Sequence, residues 1–316
     1  MFHVKHEETQ ERQEDLEREH AICDYEGTSY RARFWEGKGR EYEDLAERIA
    51  LRHLLPPRGR RIVELGASFG RLADLYQGYD QIILLDYAKS GLREAQEQLG
   101  RSSKYIYVAA DIYHLPLAPG ACDTAVTVRV LHHLNDAPAA LRGIAEILEP
   151  NGAYVLEYAN KRNIKAVARY ALRRQDWSPF DPEPYEFAAL NFDFHPDWMA
   201  AELQAAGFRI ESGRAVSHFR QDVFKRLLPA KTLAGIDGAI QTPSAAWKLA
   251  PSVFLKTTRV AAGTVQKDSP FCCPTCRSVE LTTEGETLRC ENCRAIWAID
   301  DGIYDFKSPV RGGTAR

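Results

Sequence analysis

Glycine, serine and a carboxylate stand together in the stretch IVELGASFGRLADL (62–75). An apolar run carrying Glu64 leads into the turn Gly66-Ala67-Ser68-Phe69-Gly70, and helical periodicity follows. A strand, a glycine turn and a helix in succession present backbone N–H groups to a cofactor. The dinucleotide fingerprint requires glycine at the first, third and sixth positions of that turn. Gly66, Ser68 and Arg71 occupy them, so two of the three fail. A second constellation lies farther along. Cys273-x-x-Cys276 and Cys290-x-x-Cys293 offer four soft thiolates with the spacing of a structural zinc ribbon. With four protein ligands, such a Zn2+ site has no open position for catalysis. Cys272 competes for one ligand place, and the two-residue spacing favours Cys273. Disulfides are the alternative for these cysteines, and they belong to oxidising compartments.

These residues need a scaffold. Strand-like runs RIVEL, QIILLD, KYIYVAA, DTAVTVRV and AYVLEYA alternate with amphipathic stretches such as APAALRGIAEILEPNG. That alternation predicts an α/β fold, a doubly wound parallel sheet with helices on both faces. YEDLAERIALRHLL predicts a helix with Leu45, Ile49 and Leu55 at helical spacing, ended by Pro56-Pro57. HPDWMAAELQAAGFRIESGRAV predicts a further helix and strand, Leu227 to Ala250 reads as helical, and PSVFLKTTR as a closing strand. Within the cysteine module, ELTTEGETLRC reads as a hairpin through Glu284-Gly285, and AIWAIDDGIYDF as a last strand and turn.

Bulk properties exclude several classes. A formal net charge of −3 over 316 residues gives no global attraction to nucleic acid or an anionic surface. The sequence shows no secretory signal pattern and no apolar run long enough for a membrane span. A cytoplasmic location is the expectation, and the cysteine usage agrees with it.

The turn with its leading acid, Glu64-x-Gly66-x-Ser68-x-Gly70, resembles motif I of the class I S-adenosylmethionine-dependent methyltransferases, in a type 11-like methyltransferase domain. Further blocks follow in the family's order. ILLDYAKSGLREAQ ends the second strand in Asp86, 20 residues after Gly66, where a carboxylate can accept both ribose hydroxyls. VAADIYHLPL supplies Asp111 for the adenine amino group and Ile112 against the ring. CDTAVTVRVLHHL and AEILEPNGAYVLEY look like the fourth strand, a histidine-bearing segment, a glycine turn and the fifth strand. The resemblance covers about Arg40 to Arg259. It implies a Rossmann-like methyltransferase sheet, S-adenosyl-L-methionine as cofactor, and contacts from Glu64, Gly66, Ala67, Ser68, Gly70, Asp86, Tyr87, Asp111, Ile112 and Arg129. Asp86 and Asp111 have a plainer reading as helix caps. Ser68 and Asn151 depart from the family's glycines. A Cβ at Ser68 implies strain of about 1 kcal/mol or a direct hydroxyl contact to the cofactor, while Asn tolerates the left-handed conformation.

Methyl transfer from a sulfonium needs in-line positioning, and a base only where the acceptor proton has a high pKa. Candidates after the fourth and fifth strands are Arg129, His132, His133, Glu157 and Tyr158, with His133 as base, Arg129 as an anion-binding or ion-pairing group, and Tyr158 also in the catalytic set. Two aromatic segments, Tyr25 to Trp35 and Asp176 to Pro196, can close the site or simply pack over the core. Between the sheet and the second of them, ANKRNIKAVARYALRR is basic, either attracting an anionic acceptor or forming a solvated helix face.

The cysteine module resembles methyltransferase-activator zinc ribbons, in which a DGI follows the second knuckle. The leading expectation is an enzyme acting on an unidentified small-molecule or lipid-like methyl acceptor. RNA or a ribosome-associated protein, recognised through the ribbon, is the second reading, although Thr257 to Arg316 has as many Lys/Arg as Asp/Glu. A non-catalytic cofactor- or partner-binding protein is the third. The chain divides into a charged tail (1–24), a helical cap (25–58), the methyltransferase domain (59–260), a linker (261–269), the ribbon (270–308) and a flexible tail (309–316).

Overall fold

The computed structural model describes residues 22–27 and 39–310. Outside them lie 1–21 and 311–316 of the two expected tails and 28–38 of the expected cap, which carry most of the first aromatic segment.

Helix α1 (Glu41–Leu54) opens the continuous part. Strands β1 (Gly59–Leu65), β2 (Tyr79–Asp86), β3 (Tyr105–Ala109), β4 (Cys122–Thr127) and β5 (Leu148–Ala159) follow, with α2 (Lys89–Leu99) and α3 (Ala137–Ile147) between them. After β5 come α4 (Ile164–Ala171), the hairpin β6 (Tyr185–Ala188) and β7 (Asn191–Asp193), α5 (Pro196–Ala205), β8 (Phe208–Val216), α6 (Asp222–Leu227), α7 (Ala230–Ser244) and β9 (Ser252–Arg259). The cysteine module supplies β10 (Leu281–Glu284), β11 (Thr287–Cys290), β12 (Ile296–Asp300) and β13 (Ile303–Asp305).

β1 is central because both of its faces are apolar. Val63 and Leu65 join one buried cluster with α3 and α5, and Ile62 joins the other with α1, α2 and α7. Each such side chain, fully buried, contributes roughly 1.5–3 kcal/mol. The order β3-β2-β1-β4-β5-β9-β8 is parallel through β5, and then antiparallel where β9 inserts between β5 and β8. The expected doubly wound sheet is therefore present, with PSVFLKTTR as an internal strand.

Three local expectations change. α1 buries Tyr42, Ala46, Ala50 and Leu54 together with Glu43 and Glu47, leaving Leu45, Ile49 and Leu55 half-buried. The two buried acids are paired, Glu43 with Lys225 and Glu47 with Arg71 and Arg129. The helix expected after the glycine turn is only a single tight turn, Ala73–Tyr76, because β2 already begins at Tyr79. The sheet also continues past residue 260. β13 pairs in parallel with β3 through Ile303–Tyr107 and Asp305–Ala109, giving eleven strands in all. Residues of the expected linker lie against the core, where Gln266 N donates to Gly120 O and Arg61 donates to Asp268 O.

Candidate functional site

The glycine turn is held by the end of β2. Gly66 N and Ala67 N donate to Leu85 O at 2.8 and 3.0 Å. Ser68 N donates to Asp86 Oδ2 at 2.8 Å, and Ala88 N donates to Oδ1 at 2.9 Å. Gly66 (φ +77°) must be glycine, since a Cβ would stand 2.3 Å from Val130 Cγ2. Asp86 caps no helix; α2 takes its side-chain cap from Glu26, which accepts from Lys89 N at 2.6 Å and Ser90 N at 3.2 Å. The close approach that the missing third glycine would permit comes instead from Gly91, whose Cβ would meet Ser68 at 3.1 Å. A glycine inside KSGLREA, costing about 1 kcal/mol of helix propensity, is the sequence signal for it.

Ser68 sits at φ +45°, in the left-handed region. This is the strained conformation that the first of the two expectations calls for. Ser68→Gly is expected to bind the cofactor at least as well as the parent chain; a loss above about tenfold (1.4 kcal/mol) would show that the hydroxyl makes a specific contact. Asn151, at φ +62°, takes the conformation expected of it.

A cavity opens over this turn. Glu64, Gly66, Ala67, Ser68, Asp86, Tyr87, Ile112, Arg129 and His133 all line it. Gly70, Asp111 and Tyr158 do not. Gly70 (φ +72°) packs back on Ala95 and Leu99. Asp111 accepts from Tyr113 N at 2.9 Å and pairs with His114 at 2.7 Å, so its carboxylate shapes the turn that carries Ile112 and Tyr113 into the wall. Tyr158 is fully buried in the core beneath, its hydroxyl without a partner.

Two buried carboxyl groups line the cavity. Glu64 is 4 % exposed, and the buried Tyr76 hydroxyl lies against it. Burial pushes its carboxyl up to about 8, against a lowering by Arg71. Burial also raises Asp86, against the backbone N–H groups of Ala88, Ser68 and Tyr87, which favour its charged form. Each Asp86 oxygen retains a lone pair for a further hydroxyl. A buried acid, a carboxylate with spare acceptors and an apolar wall at Ile112 and Leu134 fit a cationic nucleoside such as the cofactor implied by motif I.

Glu64 has a consequence for stability. At neutral pH it is protonated in the fold and ionised in the unfolded chain, so folding takes up a proton. Its contribution is undiminished below the ordinary carboxyl value and is lost as pH rises towards about 8. Glu64→Gln is expected to flatten the difference in unfolding free energy between pH 5 and pH 8, measured by urea titration. An unchanged pH slope would contradict this placement.

The opposite wall carries nitrogen bases. His133 Nδ1 lies 3.0 Å from Leu190 O, which can only accept, so Nδ1 carries the proton and Nε2 a lone pair. The Tyr25 hydroxyl lies 3.4 Å from Nε2, on a segment that also contributes Ile22 and Cys23 to the cavity. Burial lowers the pKa of His133 and, more strongly, of its neighbour His132. Both rings are neutral at pH 7. Leu190 joins β6 to β7, so the second aromatic segment reaches the site through a carbonyl.

Arg129 has φ +61° and is clamped at both ends. Its guanidinium donates to buried Glu47, which also takes Arg71 at 2.8 Å, and its backbone N–H donates to Glu157 at 2.9 Å. Glu157 in turn accepts from Ser252. Arg129 thus makes a buried ion pair rather than a surface one, while still lining the cavity. Sequence reasoning missed Glu47 because nothing local marks a helix acid whose partners, Arg71 and Arg129, lie in two other segments.

The four thiols come together. All Sγ atoms of Cys273, Cys276, Cys290 and Cys293 lie within 4.8 Å of one another, with Cys273–Cys293 at 3.6 Å and Cys276–Cys290 at 3.5 Å. A tetrahedral zinc with Zn–S of about 2.3 Å needs edges of about 3.8 Å, so the set fits that ion. The two knuckles share one geometry: Arg277 N and Arg294 N return to Cys273 O and Cys290 O, with both arginines at positive φ. Cys272 points elsewhere, its thiol donating to Leu117 O at 3.1 Å.

Residues 63–156 match the family described as a methyltransferase domain. The malonyl-[acyl-carrier protein] O-methyltransferase of Geobacter sulfurreducens is 30% identical over 156 residues, 47% of this chain and 55% of that one. An O-methyltransferase of Pyrenophora dematioidea is 28% identical over 128 residues, 37% and 48% of the two chains. The chain thus spans about half the length of these curated relatives. A solved S-adenosylmethionine-dependent methyltransferase from Mesorhizobium loti shares the fold at a TM-score of 0.50 and 21% identity, covering 69% of this chain and 100% of that one. Residues 63–156 thus resemble a methyltransferase domain and lie within a mixed α/β Rossmann-like sheet, and no helix among the described residues is long and apolar enough to cross a membrane.

Proposed function

We propose that this domain transfers a methyl group from S-adenosylmethionine to a small-molecule or lipid-like acceptor. The observation that carries the reading is that Asp86, buried Glu64 and His133 line one cavity, with Asp86 fixing the glycine turn and His133 Nδ1 held by Leu190 O. S-adenosylmethionine supplies a methyl group already activated on a sulfonium. The chain's residues then bind, orient and exclude water. Asp86 takes the ribose hydroxyls while fixing the turn. Glu64 faces the ammonium end, and a cation there favours its ionised form. Ile112 and Tyr113 hold the ring, with Asp111 shaping their turn. Tyr25 closes the outer side.

His133 is the base in this reading. Its lowered pKa keeps Nε2 free to take a proton at neutral pH, and Leu190 O steadies the imidazolium that forms. The rate for a protonated acceptor should fall on the acid side through a pKa below the usual histidine value. His133→Ala should abolish that limb and slow transfer by about 10²–10⁴-fold while leaving cofactor affinity nearly unchanged. A variant with unaltered rate and pH profile would remove His133 from the chemistry.

The thiol cluster is read as a structural zinc site, with Cys273, Cys276, Cys290 and Cys293 as ligands. Names among the relatives bear on the acceptor, one being a ubiquinone/menaquinone C-methyltransferase of Pseudomonas putida. The test is to incubate the chain with methyl-labelled S-adenosylmethionine and extract separated into small-molecule, lipid, RNA and protein fractions. Label in the first two supports the proposal; label confined to RNA or protein favours recognition through the ribbon.

A further inference from the structure

Helix α4 has only eight residues, and Ala166 is the one it buries. So short a helix is marginal in water without packing. Asn163 caps it, accepting from Ala166 N at 3.0 Å, and Ile164 N ties it to Leu249 O at 2.8 Å. At 3.6 residues per turn, Ile164, Ala168 and Leu172 form one stripe, and Ala166 lies half a turn away from it. The apolar stripe therefore faces outward. Ile164 and Leu172 are each 64% exposed.

Two observations say what covers it. The stripe is bordered by Lys165 and Arg169, and residues 161–174 contain six Lys/Arg and no Asp/Glu in a chain of net charge −3. Only Lys161 of these is spent inside, on the carbonyls of Asp181 and Glu183. Beside the stripe stands Trp247, 69% exposed, whose carbonyl accepts from Arg162 at 3.3 Å. Outward aliphatics flanked by cations, with an exposed indole alongside, are the composition of a helix lying in a membrane interface.

We infer that α4 and Trp247 dock on an anionic lipid surface. The helix follows directly from β5, which supplies Glu157, and the segment after it carries Leu190 to His133, so docking would set the cavity beside the bilayer. Delivery of a lipid-like acceptor there rests on the proposed function; the docking itself does not.

Sedimentation with vesicles of phosphatidylcholine alone, or with phosphatidylglycerol added, tests this on the full chain. Binding is expected only to the anionic vesicles, weakening with salt. Arg169→Ala with Arg173→Ala should lower partitioning about 30-fold, and Ile164→Glu with Leu172→Glu should remove it. Titration with S-adenosylmethionine verifies that each variant retains its site. No preference for anionic vesicles, with cofactor binding intact, would overturn the docking. Binding indifferent to the Ile164 and Leu172 changes would equally overturn it. Vesicle binding by a chain that does not bind S-adenosylmethionine would support the docking while failing the proposed function.

Discussion

Asp86→Ala is expected to weaken S-adenosylmethionine binding by about 2–4 kcal/mol, the loss of charge-assisted contacts left unmade at a buried site. Two losses combine in that figure. The carboxylate is placed to accept ribose hydroxyls, and it already accepts from Ser68 N and Ala88 N, which fixes the turn that surrounds the cofactor. Asp86→Asn separates them. Its side-chain oxygen can keep one backbone donor but brings an N–H₂ where an acceptor is needed, so most of the loss should persist. Calorimetry showing unaltered affinity in the alanine variant would remove Asp86 from the cofactor site.

Cys290→Ser is expected to lose the bound zinc and to unfold Pro270 to Phe306 as a unit. A module of about 40 residues buries too little apolar surface to hold without its metal. Losing the module uncovers more than a surface. Phe271, Trp297 and Phe306 share one buried cluster with Val108, Leu115 and Leu117, and β13 covers the edge of β3. Exposed apolar patches and bare strand edges associate, so solubility should fall sharply. Cofactor binding should survive. The turn, Asp86 and Glu64 lie at the ends of strands inside the sheet, and the module reaches the cavity wall at Tyr87, where Lys307 lies over the ring at 5.0 Å. Such a contact contributes about 0.5–1 kcal/mol, so a chain ending at Ala262 should bind S-adenosylmethionine within about fivefold of the full chain. Complete loss of binding would make the ribbon part of the cofactor site. Metal counting and gel filtration on the two variants provide the readout.

Local chemistry was what could be read in advance. The glycine turn and Asp86 lie close in sequence, and the second strand must bring them together, so their partnership is visible as spacing. The two cysteine knuckles are legible for the same reason. Cys272 against Cys273 was open in spacing and is decided by direction, one thiol turned to Leu117 O and the other to the cluster. Long-range pairing leaves no such trace. Nothing in GIYDF marks it as the neighbour of KYIYVA, and nothing in YEDLAER shows that Glu47 meets Arg129. Arg129 and Asp111 were singled out on type and position, yet their charged groups are spent on Glu47 and on the Tyr113 turn. The same side chains can serve a ligand or the fold, and only the partners distinguish the two.

The account's central claim is that this cavity holds S-adenosylmethionine, and isothermal titration of the purified chain tests it most directly. The account predicts saturable binding of S-adenosylmethionine, competition by S-adenosylhomocysteine, and no comparable binding of a nicotinamide dinucleotide, whose turn glycines are missing at Ser68 and Arg71. Titration with no binding of S-adenosylmethionine, or with equal affinity for the dinucleotide, would contradict it.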